Sequence, residues 1–141
     1  MIVLDTDVLA AMMRLQLNPP IIDWLDQKVR EDLHMTTVSM YELANGVAVL
    51  PRGKRKKSLA ESYAALQQSE IGARVLQLTP DAANLAAEAF VAAKRATGHC
   101  DVADSMIAGI ALALGATIAT RNTKHFVHFG APLVNPWDAA S

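Results

Sequence analysis

One stretch of this chain cannot sit on a protein surface, and it constrains the fold more than any other. Residues 101–122 read DVADSMIAGIALALGATIATRN. Ile107, Ile110, Ala111 and Leu114 recur at helical spacing, and the positions around them are Ala, Gly, Met and Leu. A helix that is apolar nearly all round is a buried helix. Gly115 follows as a natural C-terminal stop. A short β-branched strand over 117–120 comes next, ending in the polar triplet Thr120-Arg121-Asn122. Two aspartates, Asp101 and Asp104, thus stand at the entrance to a buried helix. Carboxylates near a core need a cation, hydrogen bonds or a raised pKa.

The rest of the chain supplies the layers that bury this helix. Residues 2–4, Ile-Val-Leu, form a short strand that stops at Asp5, and Thr6 or Asp7 is placed to cap a helix running to about residue 14. Asn18-Pro19-Pro20 breaks it, and a second helix follows with Ile21, Ile22, Leu25 and Val29 on its apolar face. A strand over 33–36 leads into a helix over 39–49 with Met40, Leu43, Val47 and Leu50 on one face, predicting a largely buried element. Pro51-Arg52-Gly53 is a turn. A helix over 54–69 and a strand over 74–78 come next, and Thr79-Pro80 then opens a long Ala-rich helix carrying Ala83, Ala86, Phe90 and Ala93. After the fourth strand, a polar turn at 123–126 precedes a last strand at 133–134. Helices alternating with short β-branched strands predict a mainly parallel α/β sheet of about 4–5 strands flanked by helices. In such sheets sites form beyond the carboxyl ends of the strands, so Asp5 and Asn122 are predicted to meet.

Bulk properties exclude several classes. The 141 residues suit one domain spanning 1–141. Aromatic content is only 5% against 52% hydrophobic, so the core is built from aliphatic residues and alanine. No apolar run reaches the roughly 18 residues that span a bilayer. The opening MIVLDTDVL lacks a basic leader, and the single Cys100 rules out an internal disulfide, so a cytoplasmic protein is expected, with no membrane partner. The net charge of −1 hides a local cluster, Arg52, Lys54, Arg55, Lys56 and Lys57, readable either as a solvated helix start or as a phosphate-contacting patch.

The chemistry rests on carboxylates. Asp5 after a strand reads either as a cap or as a ligand on a rigid strand end, and Asp7 as a first-turn residue favoured by the helix dipole. Glu42 falls in a Ser39-x-x-Glu42 capping box. Asp101 and Asp104, three apart, share a face: Asp101 reads as the N-cap, while Asp104 aligns with Ile107, Ala108 and Ala111. If Asp5, Glu42 and Asp104 converge, their repulsion calls for a divalent cation, and an all-oxygen set suits Mg²⁺ or Mn²⁺ rather than zinc. Phosphodiester hydrolysis by metal-activated water is the implied reaction. His125 and His128 lack the further ligands a zinc site needs.

This constellation resembles the PIN domain, in particular the toxin half of bacterial toxin–antitoxin pairs of the VapBC and FitAB type. The matching residues are Val3-Leu4-Asp5-Thr6, Ser39 with Glu42, Asp104 followed by Ile107-Ala108-Gly109, and Ala116 through Asn122. Gly46-Val47, Gly53-Lys54 and Asn135-Pro136-Trp137 are similar to the FitB-like branch. The resemblance implies a PIN-like three-layer sandwich and a Mg²⁺- or Mn²⁺-dependent endoribonuclease acting as the toxin of a type II module. It implies an RNA substrate, a cognate antitoxin that blocks the groove, and a homodimer within a higher toxin–antitoxin assembly. By motif match Asp5, Glu42 and Asp104 take the catalytic positions. Asp5 and Asp104 are the metal ligands, with Glu42, Asp101 and Asn122 as further candidates, directly or through water. Thr120 and Asn122 would support the pocket, and Arg121 or the 52–57 cluster would contact RNA phosphates. The chain departs from the pattern twice: Asp7 stands where Asn is common, and Asn122 where a fourth acid often lies.

Two alternatives stand beside this. Ile2-Val3-Leu4-Asp5-Thr6-Asp7-Val8 fits the opening of haloacid-dehalogenase-like phosphatases, with Asp5 as nucleophile and Asp7 as general acid. A non-catalytic PIN-like binding subunit is the other.

Overall fold

The computed structural model describes residues 1–138; residues 139–141, the end of the predicted 1–141 domain, lie outside the described residues. Five strands form one sheet: β1 (Ile2–Leu4), β2 (Leu33–Thr36), β3 (Val75–Leu76), β4 (Thr117–Ala119) and β5 (Leu133–Val134). They run in the order β3-β2-β1-β4-β5, with every pairing parallel. The helices are α1 (Thr6–Met12), α2 (Pro19–Asp26), α3 (Thr37–Ala48), α4 (Lys54–Gln68), α5 (Pro80–Thr97), α6 (Val102–Leu114) and α7 (Thr123–Phe126). Parallel strands require crossovers, and helices covering both faces explain why the strands are almost wholly apolar.

Side-chain alternation along the strands divides the core in two. On one face Leu4, Leu33, Met35 and Ala119 pack with Val8, Leu9, Ile21, Trp24 and Leu43. On the other, Val3 and Ile118 pack with Ala89, Ala93, Ile107, Ala108, Ala111, Phe126 and Phe129. The register aligns Val3 with Ile118 and Leu4 with Ala119, so adjacent strands feed the same layer at each level. Strand order reverses at β1, which has β2 on one side and β4 on the other; this is the topological switch point.

The predicted buried helix is α6, with Ser105 and 107–111 buried. Asp101 caps it by accepting the Asp104 N–H at 3.0 Å, and Gly115 ends it in the left-handed region at φ 62°. Close approach to α5 depends on small residues. A Cβ on Gly109 would lie 2.3 Å from the Ala82 carbonyl oxygen and 2.7 Å from the Ala86 Cβ. Leu114, expected on the buried face, is 49% exposed. Gly109 already packs against the first turns of α5, so the last turn of α6 extends past the start of that helix.

Other expectations shift for local reasons. Asp5, rather than Thr6 or Asp7, is the N-cap of α1. That helix ends at Met12, and a 3-10 turn over Leu15–Leu17 carries the chain to the prolines. The third helix begins at Thr37 instead of 39, because Thr36 at the end of β2 caps it through the Ser39 N–H at 3.1 Å. The expected Ser39–Glu42 capping box is therefore not the cap, and Glu42 lies in the second turn. Only Ser39 and Leu43 of α3 are buried, since its outer face, including Tyr41 and Val49 beyond its end, meets solvent. The buried stripe of α5 is Ala82, Ala86, Ala89 and Ala93, so Ala83 falls outside it and Phe90 is only half-buried. The strand expected over 74–78 narrows to Val75–Leu76, and the turn at 123–126 is a helical turn, α7. Among the described residues no helix is long and apolar enough to cross a membrane.

The α5–α6 contact yields a prediction whose sign opposes helix propensity. Ala is favoured over Gly inside a helix by about 1 kcal/mol. Gly109→Ala is expected to destabilise by about 1–3 kcal/mol, because the methyl meets backbone that cannot step aside. Gly46→Ala in α3, where the added methyl meets nothing within 4 Å, is expected to stabilise by about 0.5–1 kcal/mol. Urea unfolding of both variants checks the pair, and a stabilised Gly109→Ala would contradict the close packing.

Candidate functional site

Asp5 leaves the C-terminal end of the central strand, and its own N–H extends the ladder to the Ala119 carbonyl at 2.9 Å. Its side chain is 5% exposed. Oδ1 accepts the Thr6 N–H and Oδ2 accepts the Thr120 hydroxyl, both at 2.8 Å. Thr120 is fully buried one residue beyond β4, and its oxygen also accepts the Asn122 N–H at 3.0 Å. The segment after β4 therefore meets the segment after β1, as the parallel topology required.

Three more carboxylates gather around this point. Asp7, in the first turn of α1, accepts the Arg121 N–H on Oδ2 at 3.1 Å, while its Oδ1 is buried with no hydrogen-bond partner. Glu42 accepts the Thr6 hydroxyl at 2.6 Å, and that hydroxyl lies 2.9 Å from the Ser39 hydroxyl. Thr6 thus bonds to Asp5 through its backbone and to Glu42 through its side chain. Asp104, in the first turn of α6, faces the same space: Glu42 and Asp7 both raise its pKa.

The electrostatics show the crowding. Burial, then the Asp7 charge, push Asp5 up to about 8 against the opposing hydrogen bond from Thr120, and Asp104 adds to the rise. Burial, then Asp101, Glu42 and Asp7, push Asp104 up to about 7. Burial also raises Asp7, opposed chiefly by the Arg121 N–H. Without a counter-cation Asp5 and Asp104 hold protons near neutral pH.

The sequence candidates divide accordingly. Asp5 and Glu42 are linked through Thr6, and Asp104 lies within electrostatic reach of both. Asp101 works as a cap whose charge still reaches Asp104. Asn122 sits at the start of α7, where its carbonyl accepts the His125 and Phe126 N–H groups and its side chain caps nothing. Arg121 lies over the Trp137 ring at 4.7 Å. Asp7, read both as a helix-dipole residue and as an extra acid near the site, belongs to the acidic cluster. Two residues gain a part that sequence reasoning did not give them. Thr6 couples Asp5 to Glu42. His125 brings Nε2 to 3.8 Å from Asp104 Oδ2. The Asp-Thr pair at a strand end was a visible signal for Thr6; nothing local marked His125.

The donors fit a hard divalent cation. All are oxygens, they repel one another, and Asp7 Oδ1 has no partner. Among the described residues no three acidic, His or Cys side chains converge at metal-ligand distance. Mg²⁺ is ordinarily held by one or two carboxylates with waters completing the shell, so this spacing accords with it. A groove of about 330 Å³ adjoins the cluster, lined by Asp7, Arg14, Glu42, Leu59, Arg121 and Trp137 among others. A larger cavity of about 640 Å³, beside Met12, Arg30, Ser62 and Glu70, contains none of these acids. Chemistry, not volume, marks the site.

Comparison with known proteins gives a consistent family. The PIN domain model matches residues 2–131. The chain is 37% identical to the plasmid stability protein StbB of Pseudomonas syringae pv. tomato over 139 residues, 99% of this chain and 100% of that protein. It is 31% identical to the VapC ribonuclease Y4jK of Sinorhizobium fredii, covering 99% of this chain and 100% of that one. The solved structure of FitAB bound to an IR36 DNA fragment superposes with a TM-score of 0.85 at 32% identity, over 98% of this chain and 96% of that one.

The raised pKa values set a pH dependence for the metal-free protein. A carboxyl whose folded pKa exceeds its ordinary 3.8 binds more protons folded than unfolded. Stability is then full at low pH and is lost as pH rises from about 4 through the folded values near 7 and 8. Melting temperatures measured in EDTA are expected to fall across that window. Asp104→Asn should flatten the fall and raise the melting temperature at its alkaline end. A wild-type curve parallel to that of Asp104→Asn would show that Asp104 is not perturbed.

Proposed function

The chain belongs to the PIN-domain family, and from that premise we propose that it is the toxin of a type II toxin–antitoxin module, a Mg²⁺- or Mn²⁺-dependent endoribonuclease acting in the cytoplasm. The observation that carries this reading is the gathering of Asp5, Asp7, Glu42 and Asp104 at the switch point, with Asp5 pushed up to about 8 and Asp104 to about 7. Such mutual repulsion is relieved by a cation, and it lies at the mouth of an open groove instead of within a sealed core. Family membership replaces the phosphatase alternative. A phosphatase of that kind would also need Asp101 and Asp104 as a late acidic pair in a loop after a strand, and Asp104 lies in the first turn of a helix.

In this reading Asp5 and Asp104 hold the cation, with Glu42, Asp101 and Asn122 as candidates acting directly or through water. Asp7 lies close enough to add charge. When bound, the cation supplies an activated water and neutralises charge developing on the phosphodiester. The chain's own residues do the positioning. Thr6 N–H and Thr120 hydroxyl fix both oxygens of Asp5, leaving further lone pairs free. The Thr6 hydroxyl fixes Glu42 across 36 residues of sequence, so one residue orients both carboxylates, Asp5 through its backbone N–H and Glu42 through its side chain. Arg121, over Trp137 and lining the groove, and the exposed Arg52, Lys54 and Arg55 offer cations for the phosphates of an RNA strand. The same groove would receive the cognate antitoxin, and the toxin would act as a homodimer within a larger toxin–antitoxin assembly.

Induced expression without an antitoxin tests the proposal. Wild type is expected to arrest growth, and Asp5→Ala and Asp104→Asn to relieve the arrest. In vitro, RNA cleavage should stop in EDTA and return with Mg²⁺ or Mn²⁺, and each variant should lose at least about a hundredfold in rate, the scale of removing one preorganised electrostatic contact. Equal toxicity of all three proteins would overturn the catalytic assignment. RNA binding that survives EDTA with no cleavage product would identify a binding subunit instead.

A further inference from the structure

Asp5 and Glu42 each receive a hydroxyl donor, but among the described residues the Asp104 carboxylate receives no hydrogen bond. Facing it is a ring nitrogen that also lacks a partner. His125 Nε2 is buried, makes no hydrogen bond and lies 3.8 Å from Asp104 Oδ2. The His125 side chain is 16% exposed and that of Asp104 21%. The ring is not free to turn away. Phe129 meets it edge-on at 5.4 Å and 87°, and Phe126 at 6.3 Å and 82°, and both phenylalanines belong to the core. The backbone under it is tied as well, since the His125 N–H bonds to the Asn122 carbonyl at 3.2 Å.

A buried ring nitrogen without a partner lies just beyond hydrogen-bond range of a carboxylate oxygen, and one bond between them would satisfy it. Resting on the reading of Asp104 as a cation-holding carboxylate, we propose that His125 is a positioning residue: its Nε2–H donates to Asp104 and fixes which carboxylate oxygen is turned to the cation. A small rotation of the Asp104 side chain closes the gap, and ionisation of Asp104 on cation binding strengthens the bond. Carboxylates that ligate metals are commonly held this way, and loss of such a partner costs about 10–100-fold in metal affinity or activity. The aromatic clamp presents Nε2 instead of leaving it mobile. Asn122 then has an indirect part, since its carbonyl anchors the turn that carries His125.

Mn²⁺ titration by calorimetry of the purified, folded chain tests this without reference to RNA. His125→Leu removes the donor while keeping bulk, and is expected to weaken Mn²⁺ binding by about 10–100-fold. His125→Gln can place an amide N–H near the Nε2 position and is expected to stay within about threefold of wild type. Asp104→Ala removes the acceptor, so adding His125→Leu to it should cost less than about twofold more, a non-additivity that a purely structural role would not give. Melting curves in EDTA confirm that each variant is folded, and His125→Phe, a ring without a donor, carries the test if His125→Leu is not. Wild-type affinity in the donor-less variant, or full additivity with Asp104→Ala, overturns the positioning role and leaves the metal reading intact. A wild type that takes up no Mn²⁺ overturns both.

Discussion

The site depends on one buried hydrogen bond between residues 115 positions apart, from the Thr120 hydroxyl to Asp5 Oδ2. It joins the ends of the two strands that meet where the sheet order reverses. The Thr120 oxygen accepts the Asn122 N–H in turn, and the Asn122 carbonyl starts α7. A single hydroxyl therefore sets the position of a central carboxylate and of the segment opposite it. The bond is not strong enough to keep Asp5 ionised. Burial and the Asp7 charge together outweigh it, and the pKa stands at about 8. Position and charge are separate problems here: hydrogen bonds solve the first, and the second is left open for a ligand.

Asp104 reaches the site because α6 lies deep and close to α5. Gly109 against Ala82 and Ala86 sets that depth. A chain with 5% aromatic and 52% hydrophobic residues has few large side chains to hold helices apart, and α5 presents an alanine stripe. Tight packing of small residues gives the helix a defined height, and a side chain in its first turn inherits that precision. Two of the few aromatic residues, Phe126 and Phe129, meet the His125 ring edge-on.

What the sequence made legible follows the range of the signal. The Thr79-Pro80 start and the Asp101 cap are local, and they stand where expected. The parallel sheet was legible from alternation, and with it the meeting of the segments after β1 and β4. The start of α3 was misplaced because Ser39 and Thr36 are both credible caps, and only the end of β2 chooses between them. Of the stripe expected on α5, Ala86 and Ala93 are buried while Ala82 and Ala89 take the places of Ala83 and Phe90, since an Ala-rich helix offers several similar faces and the partner helix selects one. The gathering of acids was anticipated for Asp5, Glu42 and Asp104. The roles of Thr6 and His125 were not, because their partners lie across the fold: Thr6 meets Glu42 from 36 residues away.

The two departures from the family pattern turn out to be neighbours. Asn122 stands where resembling proteins often carry a fourth acid, and Asp7 where they commonly carry Asn. In the fold Asp7 Oδ2 accepts the N–H of Arg121, the residue next to Asn122. The carboxylate absent after β4 is thus matched by one that reaches the same segment from α1. Asp7 is the largest electrostatic contributor to the raised pKa of Asp5 and also acts on Asp104. It enters with one oxygen tied to the backbone and the other unpartnered. Asp7 thereby brings a carboxylate to the segment that carries Asn122.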